Sequence, residues 1–417
     1  MTTWGIDRIA LAAPAMVLDL ADLASTRGAD VAEITGDMAL RRRGVPAPWE
    51  DVVTLAVDAG QRVLDDDTRR RIRLLLVATE SGPDQEKAAS TWVQRYLGLG
   101  DDVRSLEVKH ACWAGSAALQ LAVQWLVAED DPEARALVIC SDLSRPHFGK
   151  PYEFVMGAGA VAMVVGPSPA FLALDRGLHG LYTQEVSDLI RPTPHVEAGH
   201  SETSLLSYLD GVDLAFARYA GAVRRRGGPA LDSTPAVAEW WPRLGYHAPF
   251  GGITRRAHRA LLRSLPDFRA ADVADDYAAR VSPSLAYNAE LGGTYAGSVF
   301  VSLLGWADAV GDALVGSRVG VYSYGSGSTS EWWSGTFGPG VVAEAARAAT
   351  RPQLARRAAI GVAQYEAAER LRVAAQDDGE AVVPLDACDG LYARAFAGRT
   401  RLVYTGNRDW VRQYAWS

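Results

Sequence analysis

Two stretches of this sequence are apolar around nearly the whole circumference of a helix, and they limit the fold more than any other feature. WAGSAALQLAVQWLVAED (113–130) is one, and the end of YNAELGGTYAGSVFVSLLGWADAV (287–310) is the other. A helix without a polar face must be covered on all sides, so each needs layers of structure above and below it. Both follow a turn of small residues, and each leads to a strand pattern, ARALVICSDL (134–143) and SRVGVYSYGSGS (317–328). RIRLLLVATESG (71–82) and GAGAVAMVVGP (157–167) are continuous apolar runs, as expected of strands buried on both faces. Between them, 49–66 places Val52, Val53, Leu55, Ala56 and Ala59 on one helical face with charges opposite; further helices are expected over 86–98 and 205–226. Alternation of this kind is the signature of a layered α/β fold. The repeated turn-and-buried-helix unit divides the chain into two similar halves, 1–167 and 168–417.

Charge and cysteine content narrow the function. The 42 basic and 50 acidic residues give a net charge of −8, which does not favour nucleic acid or an anionic membrane. Arg41–Arg43, Arg69–Arg71 and Arg224–Arg226 read as solvated surface runs. Cys112, Cys140 and Cys388 show no CxxC spacing, which argues against a disulfide framework and for a reducing, cytoplasmic setting. The N-terminal apolar stretch carries Asp7, Asp19 and Asp22 and lacks a basic leader, so it reads as strand and loop. No uncharged apolar run approaches the ~20 residues of a membrane span.

Four places carry chemistry. Cys112 lies where a strand gives way to the first apolar helix. A thiol there faces the positive helix end, which lowers its pKa and favours the thiolate nucleophile; the other reading is a small buried hydrophobe. Glu80 ends the strand of LLLVATESG, where it is either solvated at the sheet rim or desolvated with a raised pKa, fit for proton exchange near neutrality. His247, in YHAPF, is held off regular helix by Pro249 between Tyr246 and Phe250, which fixes the imidazole. His110, His147, His179, His195, His200 and His258 lack such a setting, and Cys140 and Cys388 read as structural. SYGSGS (323–328) lacks the spacing and lysine of a nucleotide loop. It is either a plain turn or a turn offering a backbone N–H as half of an oxyanion hole beside the thiol.

Taken in order, these segments resemble the hydroxymethylglutaryl-CoA synthase family of the thiolase superfamily. VATESG matches its (G/A)TESG, KHACWAGSAALQLA its ACYGGTAAL, YHAPF its (F/Y)HxPF, and SYGSGS its C-terminal loop; GAGAVAM, YTQEVSDLIRP and GTYAGSVFVSL also fit. Ketoacyl synthase III, which shares the fold, would show HxxAN after its histidine and no TESG glutamate. The resemblance implies a five-layered αβαβα thiolase-like fold with two pseudo-duplicated halves, and an acyltransferase that forms carbon–carbon bonds. It implies Cys112 as the acylated nucleophile, Glu80 as the acid/base, and His247 as the group that positions and polarises the acceptor. Gly325, Ser326, Gly293 and Asp188 are implied for the oxyanion and substrate pocket, with no metal and no cofactor beyond acyl thioesters. Gly293 stands where the family has asparagine, and Trp113 where it has tyrosine.

Arg255, Arg256 and Arg259 replace the lysines that primary-metabolism members carry after HxPF, and ITRRAHRAL and SLLSYLDGV look closer to the β-branching synthases of polyketide pathways. That implies donor and acceptor acyl carrier proteins as partners, with the three arginines as a patch for carrier or CoA phosphate, or else a merely solvated helix face. An acetyl or propionyl group on Cys112 would be condensed with a β-ketoacyl thioester. The alternatives are a CoA-dependent synthase of mevalonate-type metabolism and a non-catalytic docking scaffold. A homodimer is implied by the resemblance.

Overall fold

The structure is a computed structural model that describes residues 2–129, 131–193 and 196–417; His195 lies outside the described residues. Nine strands form the central sheet: β1 (Trp4–Ala12), β2 (Ile72–Ala78), β3 (Arg104–Val108), β4 (Arg135–Leu143), β5 (Ala158–Pro167), β6 (Leu172–Thr183), β7 (Arg243–Tyr246), β8 (Arg318–Gly325) and β9 (Thr329–Phe337). Their order is β7-β8-β9-β6-β1-β5-β4-β2-β3. This sheet is two copies of one pattern. In the first, β1 and β4 flank β5 antiparallel and β2 lies parallel to β4. In the second, β6 and β8 flank β9 antiparallel and β7 lies parallel to β8. The edge strand β3, parallel to β2, has no counterpart among the described residues of the second copy.

The copies join through the short antiparallel pairing of Gly5 with Ala173 and Ile6 with Leu172. Glycine is required at this junction, because a side-chain carbon on Gly5 would lie 2.1 Å from the Leu172 carbonyl oxygen. The helices that position the site are α1 (Val52–Val63), α2 (Ala114–Glu129), α3 (Ser201–Arg225), α4 (Gly251–Arg263) and α5 (Ser298–Val310). α1 covers β1, β4 and β5, while α3 covers β6 and β9. The apolar helices α2 and α5 occupy the same place in each copy, directly before β4 and β8. They meet in the middle: Gly115 of α2 abuts Phe300 of α5, and Trp333 Nε1 of β9 donates to Ser116 Oγ at 3.0 Å. The expected αβαβα arrangement is present.

Several expectations need correction. α2 is not covered all round: its first turns are buried, but Leu121 is 49% exposed. The helical stretch Ala111–Glu129, which includes this helix, is also long and apolar enough to cross a membrane by length and composition, yet half of it is buried inside the protein. α1 does not turn a charged face to water, because residues from Arg401 onward lie over it; Arg401 bridges Asp58 at 3.1 Å and Glu50 at 3.3 Å. Arg43 is fully buried rather than solvated. It donates to Ser144 Oγ, the Glu153 carbonyl and Tyr365 Oη, and its guanidinium lies 4.7 Å from the Tyr365 ring centre. It belongs to a third apolar cluster in which the strand Ala358–Ile360 joins Met16–Asp19 and Arg42–Val45, drawing on both ends of the chain.

Candidate active site

β2 ends at Ala78, and Thr79, Glu80 and Ser81 turn away from the sheet. One carboxylate holds that turn. Asp142, fully buried near the end of β4, accepts through Oδ1 from Thr79 Oγ1 at 2.9 Å, the Glu80 N–H at 2.9 Å and Ser81 Oγ at 2.8 Å. Its Oδ2 accepts from the Ala296 N–H at 3.3 Å, in the turn before α5. Asp142 thus ties the acid-bearing turn of the first copy to the core-helix turn of the second.

Cys112 sits in the link from β3 to α2, after Ala111 in a left-handed conformation (φ 43°). Trp113 supplies the carbonyl for the first helical hydrogen bond, from the Ala117 N–H at 3.1 Å. This places Cys112 Sγ 3.3 Å from Glu80 Oε2. Gly325, the last residue of β8, closes on the same link. A side-chain carbon there would come within 2.5 Å of the His110 carbonyl oxygen and 2.7 Å of the Trp113 backbone nitrogen. The glycine-serine loop therefore lies against the turn that carries the thiol, with Ser326 half-buried beside it.

His247 follows β7, fixed by its own N–H to the Tyr322 carbonyl at 2.7 Å. Its Nδ1 lies 2.7 Å from Ser298 Oγ, which also accepts from the Ala248 N–H at 3.3 Å. The Nδ1 contact and the Ala248 N–H bond to the same serine oxygen fix the orientation of the imidazole. Ser298 is two residues from Ala296, whose carbonyl would lie 2.3 Å from a side-chain carbon on Gly115 in the first turn of α2. The imidazole, the acid turn and the start of the thiol helix are thus joined by one segment, 294–298.

The electrostatics correct one expectation. Cys112 keeps partial exposure, yet protein surrounds its sulfur closely. Burial, together with the charges of Glu80 and Asp142, pushes the thiol well above its ordinary pKa, outweighing the helix end that was expected to favour thiolate. Burial and then Asp142 push Glu80 up to about 8, with Arg191 pulling the other way. Burial holds His247 down at about 3, so the imidazole is neutral. The resting pair is an uncharged thiol against a carboxyl group that titrates near neutrality.

The remaining expected residues fall in different places. Asp188 is fully buried and fastens the glycine-serine loop, accepting from Tyr324 Oη at 2.6 Å and from the Gly327 N–H at 2.9 Å. Gly293 is packed against backbone: its N–H donates to the Val155 carbonyl at 3.0 Å, and a side-chain carbon would lie 2.7 Å from that oxygen. Replacing the family asparagine by glycine is therefore matched by close approach of the 155–157 segment. Gly293→Asn is expected to overpack this contact at a cost of about 1–3 kcal/mol and to lower both Tm and turnover. A variant as stable as the parent and more active would show that the asparagine is simply missing. Arg255, Arg256 and Arg259 lie on the exposed side of α4, at the surface.

Three residues not singled out in the sequence join the site. Asp142 was signalled only by an acid inside an otherwise apolar strand. Arg191 donates to the Glu80 carbonyl oxygen at 2.9 Å while paired with Glu197 at 2.9 Å. Tyr295 adopts a left-handed backbone (φ 44°), unusual for an aromatic residue, and its hydroxyl lies in the electrostatic field of Glu80 and Cys112. A desolvated acid against a thiol, beside a loop whose backbone faces the thiol turn, suits acyl transfer followed by abstraction of a proton next to a thioester.

Comparison with known proteins agrees with this chemistry. The family model described as hydroxymethylglutaryl-coenzyme A synthase N terminal matches residues 2–170, and its C-terminal partner matches residues 268–382. The chain is 35% identical over 352 residues to the polyketide biosynthesis 3-hydroxy-3-methylglutaryl-ACP synthase PksG of Bacillus subtilis, covering 81% of each. It is 29% identical to the hydroxymethylglutaryl-CoA synthase of Enterococcus faecalis, covering 88% of this chain and 91% of that protein. Among solved structures, the HMG synthase of the curacin biosynthetic pathway superposes with a TM-score of 0.91 at 34% identity, covering 100% of both chains. The same synthase in complex with its acetyl donor-ACP gives 0.91 at 33%.

Proposed function

The chain belongs to the hydroxymethylglutaryl-CoA synthase family, and from that premise we propose that it installs a β-branch on a polyketide intermediate, joining a Cys112-bound acyl group to a β-ketoacyl group on an acyl carrier protein. The observation that carries this reading is the 3.3 Å contact between Cys112 Sγ and Glu80 Oε2 in a desolvated setting.

In this reading the Cys112 sulfur attacks a short acyl thioester, and the leaving carrier thiolate takes the thiol proton. Glu80, as carboxylate, removes an α-proton from the acyl group, and the N–H groups of Cys112 and the 325–326 loop hold the enolate oxygen. The enolate carbon attacks the β-keto carbon of the second thioester. Neutral His247 donates from Nε2 to that carbonyl, and Glu80 returns its proton to the new alkoxide. Water then cleaves the Cys112 thioester, giving a carboxylate and the free thiol. The part up to residue 167 supplies the acid and thiol, and the part from 168 supplies the imidazole and loop. Asp188 acts through the loop it fastens, and the chemistry asks for no cofactor beyond acyl thioesters.

The carrier rather than CoA is favoured by the relatives that act in polyketide pathways, one of them solved with its donor-ACP. Arg255, Arg256 and Arg259 offer exposed guanidinium groups to an acidic carrier or its phosphopantetheine phosphate. Pairing through the edge strand β3 would cover Leu106 and Leu121, each 49% exposed, as expected of a homodimer. A cytoplasmic location follows from the same reading.

Acetyl-carrier and acetyl-CoA offered together to the protein, with the intact protein then weighed, are expected to acylate Cys112 mainly from the carrier. Preferential acylation from CoA would turn the reading to the synthase of mevalonate-type metabolism.

A further inference from the structure

Strand β9 grips the start of the thiol helix at two points. Successive side chains of a strand point to opposite faces, so Glu331 and Trp333 share one face and Trp332 takes the other. Trp332 Nε1 donates to the Val212 carbonyl of α3 at 3.0 Å, whereas Trp333 Nε1 reaches Ser116 of α2. On that same face Glu331 accepts through Oε2 from Trp113 Nε1 at 2.8 Å. Trp113 and Ser116 are one helical turn apart, about 5–6 Å, close to the ~7 Å between alternate residues of a strand. Glu331 is 2% exposed in a strand whose Trp332, Trp333 and Phe337 are also buried, and a carboxyl group there costs free energy that an apolar side chain would not. Burial pushes its pKa up to about 7, and the bond from Trp113 draws it back. Charged or neutral, it keeps an oxygen for the indole N–H.

This bond joins the two parts of the site. Trp113 directly follows Cys112, and β9 begins at Thr329, directly after the glycine-serine loop. From the loop side, a side-chain carbon on Gly325 would lie 2.7 Å from the Trp113 backbone nitrogen and 2.8 Å from its Cβ. His110 meets the indole edge-on, with ring centres 5.3 Å apart. We propose that Glu331 is a positioning residue: through Trp113 it sets the separation of the thiol turn from the glycine-serine loop, and with it the width of the oxyanion hole between them. The inference rests on the function proposed above, in which the Cys112 N–H and the 325–326 loop face the acyl oxygen.

The test compares two reactions of the full chain, each read at Cys112 by mass after peptic digestion. Acylation by acetyl-carrier passes through an oxyanion, whereas alkylation by iodoacetamide does not. Glu331→Leu should lower the saturating rate constant of acylation by about 10²-fold, the scale of a displaced oxyanion donor. The half-saturating carrier concentration and the rate of alkylation should stay near those of the parent. Glu331→Gln keeps an acceptor oxygen and should retain most of the acylation rate. Trp113→Phe removes the donor and should lose as much as Glu331→Leu, and the two changes together should lose no more than either alone. Acylation at the parent rate in Glu331→Leu or Trp113→Phe would overturn the proposal. So would a loss shared equally by acylation and alkylation, a Glu331→Gln protein as slow as Glu331→Leu, or losses that add in the double variant. Should Glu331→Leu not fold, Trp113→Phe and Glu331→Gln decide by the same criteria. A parent alkylated at Cys112 but never acetylated would overturn the proposed function and this inference together, whereas failure in the variants alone leaves that function standing.

Discussion

Glu80→Ala is expected to become acylated and then stop. Thiol attack on the donor does not need the carboxyl group. Its charge is one of the causes that raise the Cys112 pKa, so removing it brings the thiol closer to ionisation and acylation as fast as in the parent, or faster. Condensation should fall by about 10²–10⁴-fold, the usual contribution of a positioned general base. In the parent, condensation should rise with pH through about 8 or above, because only the carboxylate form can take the α-proton and burial with Asp142 holds Glu80 protonated below that. Acylation removes the thiol hydrogen bond that favours the carboxylate, so it does not lower this limb. The variant should lack the limb altogether. Mass measurement of the intact variant and a pH profile of the parent check both parts; a Glu80→Ala protein that never holds an acyl group would refute the division of roles.

Cys112→Ala is expected to abolish both the acyl adduct and turnover, a loss on the order of 10⁶-fold by comparison with other covalent catalysts stripped of their nucleophile. Alanine adds no atoms to the site and removes only the sulfur that contacts Glu80. The same change removes the sulfur that competes with Glu80 for charge in a shared desolvated space. Folding should therefore survive, with Tm near that of the parent. Condensation persisting in Cys112→Ala would contradict a covalent mechanism. If the parent itself neither took up an acyl group nor condensed it, the protein would instead be a docking scaffold.

Much of this was legible in the sequence, for physical reasons. Helices without a polar face demanded layers of structure around them, although Leu121 of α2 stays exposed, and the small-residue turns before α2 and α5 marked the two copies. Glu80, Cys112 and His247 each stand where one element stops and another begins, and the structure brings the first two of these side chains into contact. What could not be read depended on which strands lie side by side. Asp142 holds the Glu80 turn only because β2 and β4 pair in parallel with Ala78 opposite Cys140. Arg43 looked like part of a surface run, and its burial follows from Tyr365, Glu153 and Ser144, all distant in sequence. The thiol was misjudged for a related reason. Helix-end electrostatics can be read locally, but the desolvation and the two acids that outweigh it are contributed by the tertiary fold. Gly293 shows the same limit, since a missing asparagine turned out to be a place where backbone meets backbone.

The account rests on Glu80 taking a proton from an acyl group held on Cys112, and isotope loss measures that step without any acceptor. Parent and Glu80→Ala are acylated with a trideuterioacetyl donor, and the deuterium content of the bound acyl group is followed by mass in ordinary water. The parent should lose deuterium steadily while Glu80→Ala retains it. Full retention in the parent, or loss at the same rate in both, would contradict the assignment.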